Sequence, residues 1–92
     1  MIDLSAYSEL HNRTDAAYRQ FAEVALAAFE ELRKVDPELT QIAIDAYGRA
    51  DVVAMSFAQP YGRDRKSIYA ELAAGEREEV RSEMLKAIHG IF

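Results

Sequence analysis

Between Leu4 and Val35 one side of the chain is set out in strictly alternating steps of three and four: Leu4, Tyr7, His11, Thr14, Tyr18, Phe21, Ala25, Ala28, Leu32 and Val35. A helix brings positions with that spacing onto one face. No glycine or proline interrupts them. From Tyr18 onward Ala22 and Phe29 widen the stripe, while Arg19, Glu23, Glu30, Arg33 and Lys34 take the other side. Upstream the stripe keeps its phase but passes through His11 and Thr14. The pattern predicts one helix over about 3–35. The alternative is a break near Asn12, with Asn12 or Thr14 capping a second helix. The pairs Glu9–Arg13 and Asp15–Arg19 stand at i, i+4 with the acid first, the order that supports a helix.

The next boundary is sharp. In 36-DPEL-39, Asp36 can cap a helix, Pro37 suits its first position, and Glu38 faces the positive helix end. A second helix is expected over 37–58. Leu39, Ile42, Ala43, Ala46, Ala50, Val53 and Phe57 form its main apolar face, and Ile44, Val52 and Met55 a strip opposite. Gly48 falls in its interior, at a cost of about 1 kcal/mol relative to alanine. Close approach of another helix or a tolerated glycine would each account for it. Gln59-Pro60-Tyr61-Gly62 ends the helix, with the Pro-Tyr-Gly order of a type I turn. A short connecting helix follows over about 65–73, capped by Asp64, with Ile68, Tyr69 and Leu72 inward. After Gly75 a last helix is expected over 76–89, opened by Glu76, Glu78 and Glu79 and closed by Lys86, His89 and Gly90. Val80, Met84, Ala87 or Ile88, and Ile91 make its inner stripe. The Ile91-Phe92 pair is expected to fold back onto the bundle or into an interface. The fold class is therefore all-α: a compact bundle of three main helices plus the connector, in a single domain over 1–92.

Half of the residues are apolar, enough for a core, but a 92-residue chain buries a modest share of its surface. A partner or self-association would add to its stability, and a homodimer is expected. No cysteine is present, which removes disulfides and thiolate metal sites. The opening MIDLSAYSEL lacks the basic flank and apolar run of a signal peptide, and no stretch reaches the length of a membrane span. The expected location is the cytoplasm. The formal net charge is −5, with ten acids against five bases in residues 1–62 and six of each in 63–92. Such a balance disfavours nonspecific binding to nucleic acid or anionic lipid.

Catalytic constellations are hard to find. There is no G-x-S-x-G elbow, no glycine-rich phosphate loop, no H-E-x-x-H and no EF-hand loop. A di-iron bundle would need Glu three residues before each histidine, but Ser8 precedes His11 and Lys86 precedes His89. His11, with Asp15 at i, i+4, reads as a partly buried structural histidine, His89 as a helix-end charge, and Glu79 with Glu83 as a solvated acidic face. No enzyme activity, cofactor or metal site is expected.

One stretch stands apart. In 60-PYGRDRKSIY-69 three basic residues fall within four positions of an acidic chain. Tyr61 and Tyr69 flank Arg63, Arg65 and Lys66, and aromatic side chains with arginine are what protein interfaces favour. Three uses compete: solvated charges, or charges paired with acids of the first two helices; a partner-binding edge formed by Tyr61, Arg63, Arg65, Lys66 and Tyr69; or a helix-turn-helix-like nucleic-acid contact using Arg65, Lys66, Ser67 and Tyr69. The turn is long for the last motif and the domain is acidic. The expected function is thus a small acidic cytosolic protein–protein interaction module, non-enzymatic, acting as adaptor, regulator or inhibitor. A helix-turn-helix-like regulator is the alternative. Small acidic helical chains of this kind occur among phage and mobile-element inhibitors that occupy basic surfaces of nucleic-acid-binding machinery. That likeness is one of size and charge alone.

Overall fold

A computed structural model describes residues 3–90, so the expectation for Ile91-Phe92 lies outside the described residues. The described chain is all-helical, with five helices: α1 (Leu4–Val35), α2 (Pro37–Tyr47), α3 (Ala50–Ala58), α4 (Ile68–Ala73) and α5 (Arg77–Ile88). α1 is unbroken through Asn12. Asp3 caps it, its carboxylate accepting from the Ser5 amide at 2.9 Å. The Glu9–Arg13 and Asp15–Arg19 pairs both form, at 2.9 and 3.0 Å. A helix of this length spans about 48 Å, and it sets the longest dimension of the molecule, 54 Å against 29 and 25 Å.

The expected helix over 37–58 is two helices, and Gly48 is the reason. It adopts φ 102° and ψ −105°, outside the range of L side chains, and its N–H closes α2 on the Ile44 carbonyl. No atom lies within 4 Å of where a Cβ would stand, so neither close helix approach nor a tolerated mid-helix glycine describes it. The two readings give Gly48→Ala opposite signs. In a continuous helix alanine would stabilise by about 1 kcal/mol. At this backbone geometry it should destabilise by about 1–3 kcal/mol, read as a lower urea midpoint.

Other boundaries shift by a few residues for identifiable reasons. Gln59 is extended, as the residue before a proline prefers. Ser67, not Asp64, caps the connector, accepting from the Ala70 amide at 3.1 Å, so that helix begins at Ile68 rather than near 65. Gly75 and Gly90 both take positive φ just after their helices.

All nine buried apolar side chains belong to one cluster: Ala25 and Phe29 from α1, Leu39 and Ala43 from α2, Val53, Ala54 and Phe57 from α3, Val80 and Met84 from α5. Phe57 is its hub. Its ring meets Phe29 edge-on at 5.8 Å and Tyr69 at 5.9 Å. Phe21, counted inward with these, is only half-buried. Thr40 is also buried, its hydroxyl donating to the Pro37 carbonyl at 3.0 Å. The core fills only the C-terminal half of α1. From Asp3 to Gln20 all residues but Asp15 are exposed, including Leu4, Tyr7, Leu10 and Tyr18.

Candidate functional site

α3 and α4 are joined by the basic stretch, and its backbone is fixed. The Tyr61 N–H donates to the Lys66 carbonyl at 3.1 Å, closing a small antiparallel bridge. Between them the chain reverses through positive φ at Gly62 (70°) and at Arg65 (52°). Glycine takes this conformation freely, but an arginine there is uncommon. The reversal thus falls after Pro-Tyr, inside the loop.

The Tyr61 side chain anchors the loop from outside. Its hydroxyl donates to a Glu71 carboxylate oxygen on α4 at 2.6 Å. That bond, with partial burial, pushes the phenol pKa up to about 12. Tyr61 therefore stays a neutral donor at any physiological pH, while its ring remains half exposed. Tyr69 is placed differently from Tyr61. It lies half-buried against Phe57 instead of edging the loop on the outside, and its hydroxyl is buried with no hydrogen-bond partner among the described residues. Burial raises its pKa as well.

Arg63, Arg65 and Lys66 are exposed. Of the chain's eleven basic residues, the other eight make ion pairs: Arg13, Arg19, Arg33, Lys34, Arg49, Arg77, Arg81 and Lys86. Among the described residues the three in the loop make none, so no acid of α1 or α2 takes them.

Beside the loop lies an open groove of about 710 Å³, walled by α2, α3, α4 and α5. Val52, Phe57, Ile68, Val80 and Met84 supply its apolar surface, and Tyr61 lines it at the loop end. Glu71, Glu76, Glu79 and Glu83 also line it. Loop and groove together present free cations next to an apolar trough with acidic groups. The groove was not legible in the sequence, because it depends on the break at Gly48 and on how α5 lies across α2. Its acids could be read only as separate helix-start charges.

The remaining candidates are dispersed. His11 stands exposed on the projecting half of α1, and its neighbour Asp15 is taken by Arg19. No cluster of three or more His, Asp or Glu side chains among the described residues is placed to hold a metal ion, and no described helix is long and apolar enough to cross a membrane. No protein-family model, curated protein or solved structure matches the chain.

Proposed function

We propose that this chain is a non-enzymatic protein–protein interaction module of the cytoplasm, an adaptor, regulator or inhibitor, that binds an acidic surface of its partner through Arg63, Arg65 and Lys66. The observation that carries this reading is the division of the basic residues: eight are ion-paired within the fold, and the three on the bridged loop make no ion pair among the described residues. A pre-formed loop loses little entropy on binding. Tyr61 adds rigid apolar surface at its edge, and Tyr69 supports it from the core side. The module is proposed to act as a homodimer, because α1 leaves much of its apolar stripe in water.

The helix-turn-helix-like alternative has less to stand on. α4 has six residues, Ser67 is occupied as its cap, and Tyr69 is turned toward Phe57. Arg63, Arg65 and Lys66 would have to contact phosphate unaided, in the field of a chain with net charge −5.

Replacing Arg63, Arg65 and Lys66 together by alanine should leave helicity unchanged and cost about 0.5 kcal/mol or less per site in stability. It should abolish retention of the protein that the wild-type chain captures from its native cell. Undiminished capture would remove the loop from the interface. Nucleic acid retained at physiological salt by the wild type, and lost by the triple variant, would favour the alternative.

A further inference from the structure

The stripe on α1 is a single seam with two different fates. From Ala25 to Leu32 it is covered by α3 and α2, with Ala25 and Phe29 fully buried. From Leu4 to Tyr18 it runs on in the same phase through exposed positions, reaching the edge of α3 only at Tyr18. Leu4 is 73% exposed, Tyr7 57%, Leu10 53% and Tyr18 59%. Packing of an amphipathic face supplies most of a helix's stability in proteins, so a helical projection with an apolar stripe calls for a cover.

The order of residues along the seam says what fits. Strict alternation of three- and four-residue steps is the repeat of a coiled coil, in which the two seam positions of each heptad meet across the interface. In an antiparallel pair each kind of seam position faces the other kind. Reversing the uncovered seam against itself gives Leu4 facing the partner's Phe21, Tyr7 facing the partner's Tyr18, and His11 facing the partner's Thr14. Apolar layers then lie at both ends, aromatic layers inside them, and the polar layers at the centre. The Thr14 hydroxyl already donates to the Leu10 carbonyl at 2.9 Å, which leaves its lone pairs free for an imidazole N–H. Flanking the seam, Leu10 falls beside the partner's Ala17, and Ser8 beside the partner's Asp15.

Neighbouring registers are worse. One heptad further in, the partner's Tyr7 would oppose Ala25, which α3 and α2 already cover. One heptad further out, Tyr18 would stay in water and Phe21 would gain no cover beyond that of its own chain. Leu4, Tyr7, Leu10 and Tyr18 are each more than half exposed, so pairing two such segments removes apolar surface of both copies from water.

We infer that α1 pairs antiparallel with α1 of a second copy over residues 4–21, in the register that sets Tyr7 against the partner's Tyr18. This rests on the homodimer reading above and locates its interface. The partner helix takes the place on the outer seam that α3 takes on the inner one. The loop at 61–66 is left outside the pairing, so that each dimer displays two copies of it.

The chain has no cysteine, so introduced thiols report alone. Tyr7→Cys and Tyr18→Cys are made as separate single variants. Mixed and oxidised, they should give a disulfide-linked dimer. Each oxidised alone should not, because two Tyr7 positions would lie about 16 Å apart along the pair, beyond disulfide reach. The double variant Tyr7→Lys/Tyr18→Lys should sediment as a monomer, with weaker helical dichroism and an intact cooperative transition from the body. Wild-type protein that sediments as a monomer at micromolar concentration would overturn both the homodimer and this interface. A wild-type dimer whose single variants cross-link alone, whose mixture does not cross-link, or whose double-lysine variant stays dimeric would overturn this interface and leave the homodimer standing.

Discussion

Phe57→Ala should lower the stability of the protein by about 3–5 kcal/mol, and Phe29→Ala should come close to it. Both rings are wholly buried, and they meet edge-on at 5.8 Å. Removing Phe57 also strips Tyr69 of its ring partner at 5.9 Å. Edge-on pairs contribute about 0.5–1.5 kcal/mol beyond area burial, so Phe57 should be the more costly site. A domain of this size has roughly 5–14 kcal/mol in total. Either variant thus loses a large fraction of it. Because the two rings touch, the double variant should cost less than the sum of the singles. Phe21→Ala, at a half-buried position, should cost clearly less than either. Urea unfolding followed at 222 nm, at one fixed protomer concentration, is the measurement; self-association would otherwise make stability concentration-dependent. A loss below about 1 kcal/mol at both Phe29 and Phe57 would show that α1 and α3 do not meet through these rings.

What could be read in the sequence divides along a physical line. Local signals placed α1, the start of α2, the end of α3 and the whole of α5 to within a residue or two. Each rests on a periodic stripe together with a cap, a proline or a glycine. Gly48 defeated this reading because its composition is ambiguous. A glycine inside an apolar run looks the same whether it is tolerated in a helix or turns the chain at φ 102°. The face counted from Leu39 to Ala46 and on through Ala50 to Phe57 still meets one core across the turn, but from the opposite strip only Ile44 and Met55 pack against it. Val52 then lies exposed and lines the groove. Phe29 was legible only as a residue that widens the stripe, although it is among the most deeply buried, because burial depends on where α3 crosses α1. The basic cluster was visible as composition. That its charges are unpaired among the described residues was not, since this depends on every other base having found an acid, two of them, Arg77 and Arg81, across 39 to 43 residues of sequence.

The charge arrangement also explains how an acidic chain keeps three cations unpaired among its described residues without losing its fold. Arg77 and Arg81 on α5 draw the acids Asp36 and Glu38 to themselves, and the remaining pairs join residues close in sequence, most of them within one helix. The loop lies away from these pairs and is held by one backbone bond, from the Tyr61 N–H to the Lys66 carbonyl, and by one neutral phenol. Its charges can therefore be removed, or met by a partner, without breaking a contact that supports the helices.

Asp36→Ala should have the largest effect of any surface substitution, because its side chain ties α5 to the start of α2, at a residue whose backbone, unchanged by the substitution, also closes α1. The Asp36 N–H closes α1 on the Leu32 carbonyl at 2.7 Å. Its carboxylate caps α2 by accepting from the Leu39 amide at 3.2 Å. The same carboxylate accepts a two-pronged contact from Arg77 on α5, at 2.7 Å from Nε and 3.0 Å from Nη2. Loss of the cap alone costs about 1–2 kcal/mol. The guanidinium left without its partner adds to that, and Arg77→Lys should reproduce part of the loss because an ammonium cannot make the fork. Asp36→Asn keeps a capping oxygen and removes the charge, so it should fall between wild type and Asp36→Ala. The Arg77 contact is also the main reason why the Asp36 pKa is lowered from its ordinary value of 3.8. A carboxylate lowered on folding contributes stability that is full above the unfolded value and disappears as pH falls through the folded one. The urea midpoint of the wild type should therefore hold while pH stays above the ordinary value of 3.8 and fall as pH drops below it. In Asp36→Asn that fall should be shallower but still present, because Glu38 is lowered in the same way by Arg81 and Arg77. Parallel acid profiles for the two proteins would mean that Asp36 is not held by Arg77 in solution, and that α5 is fixed to α2 by its apolar contacts alone.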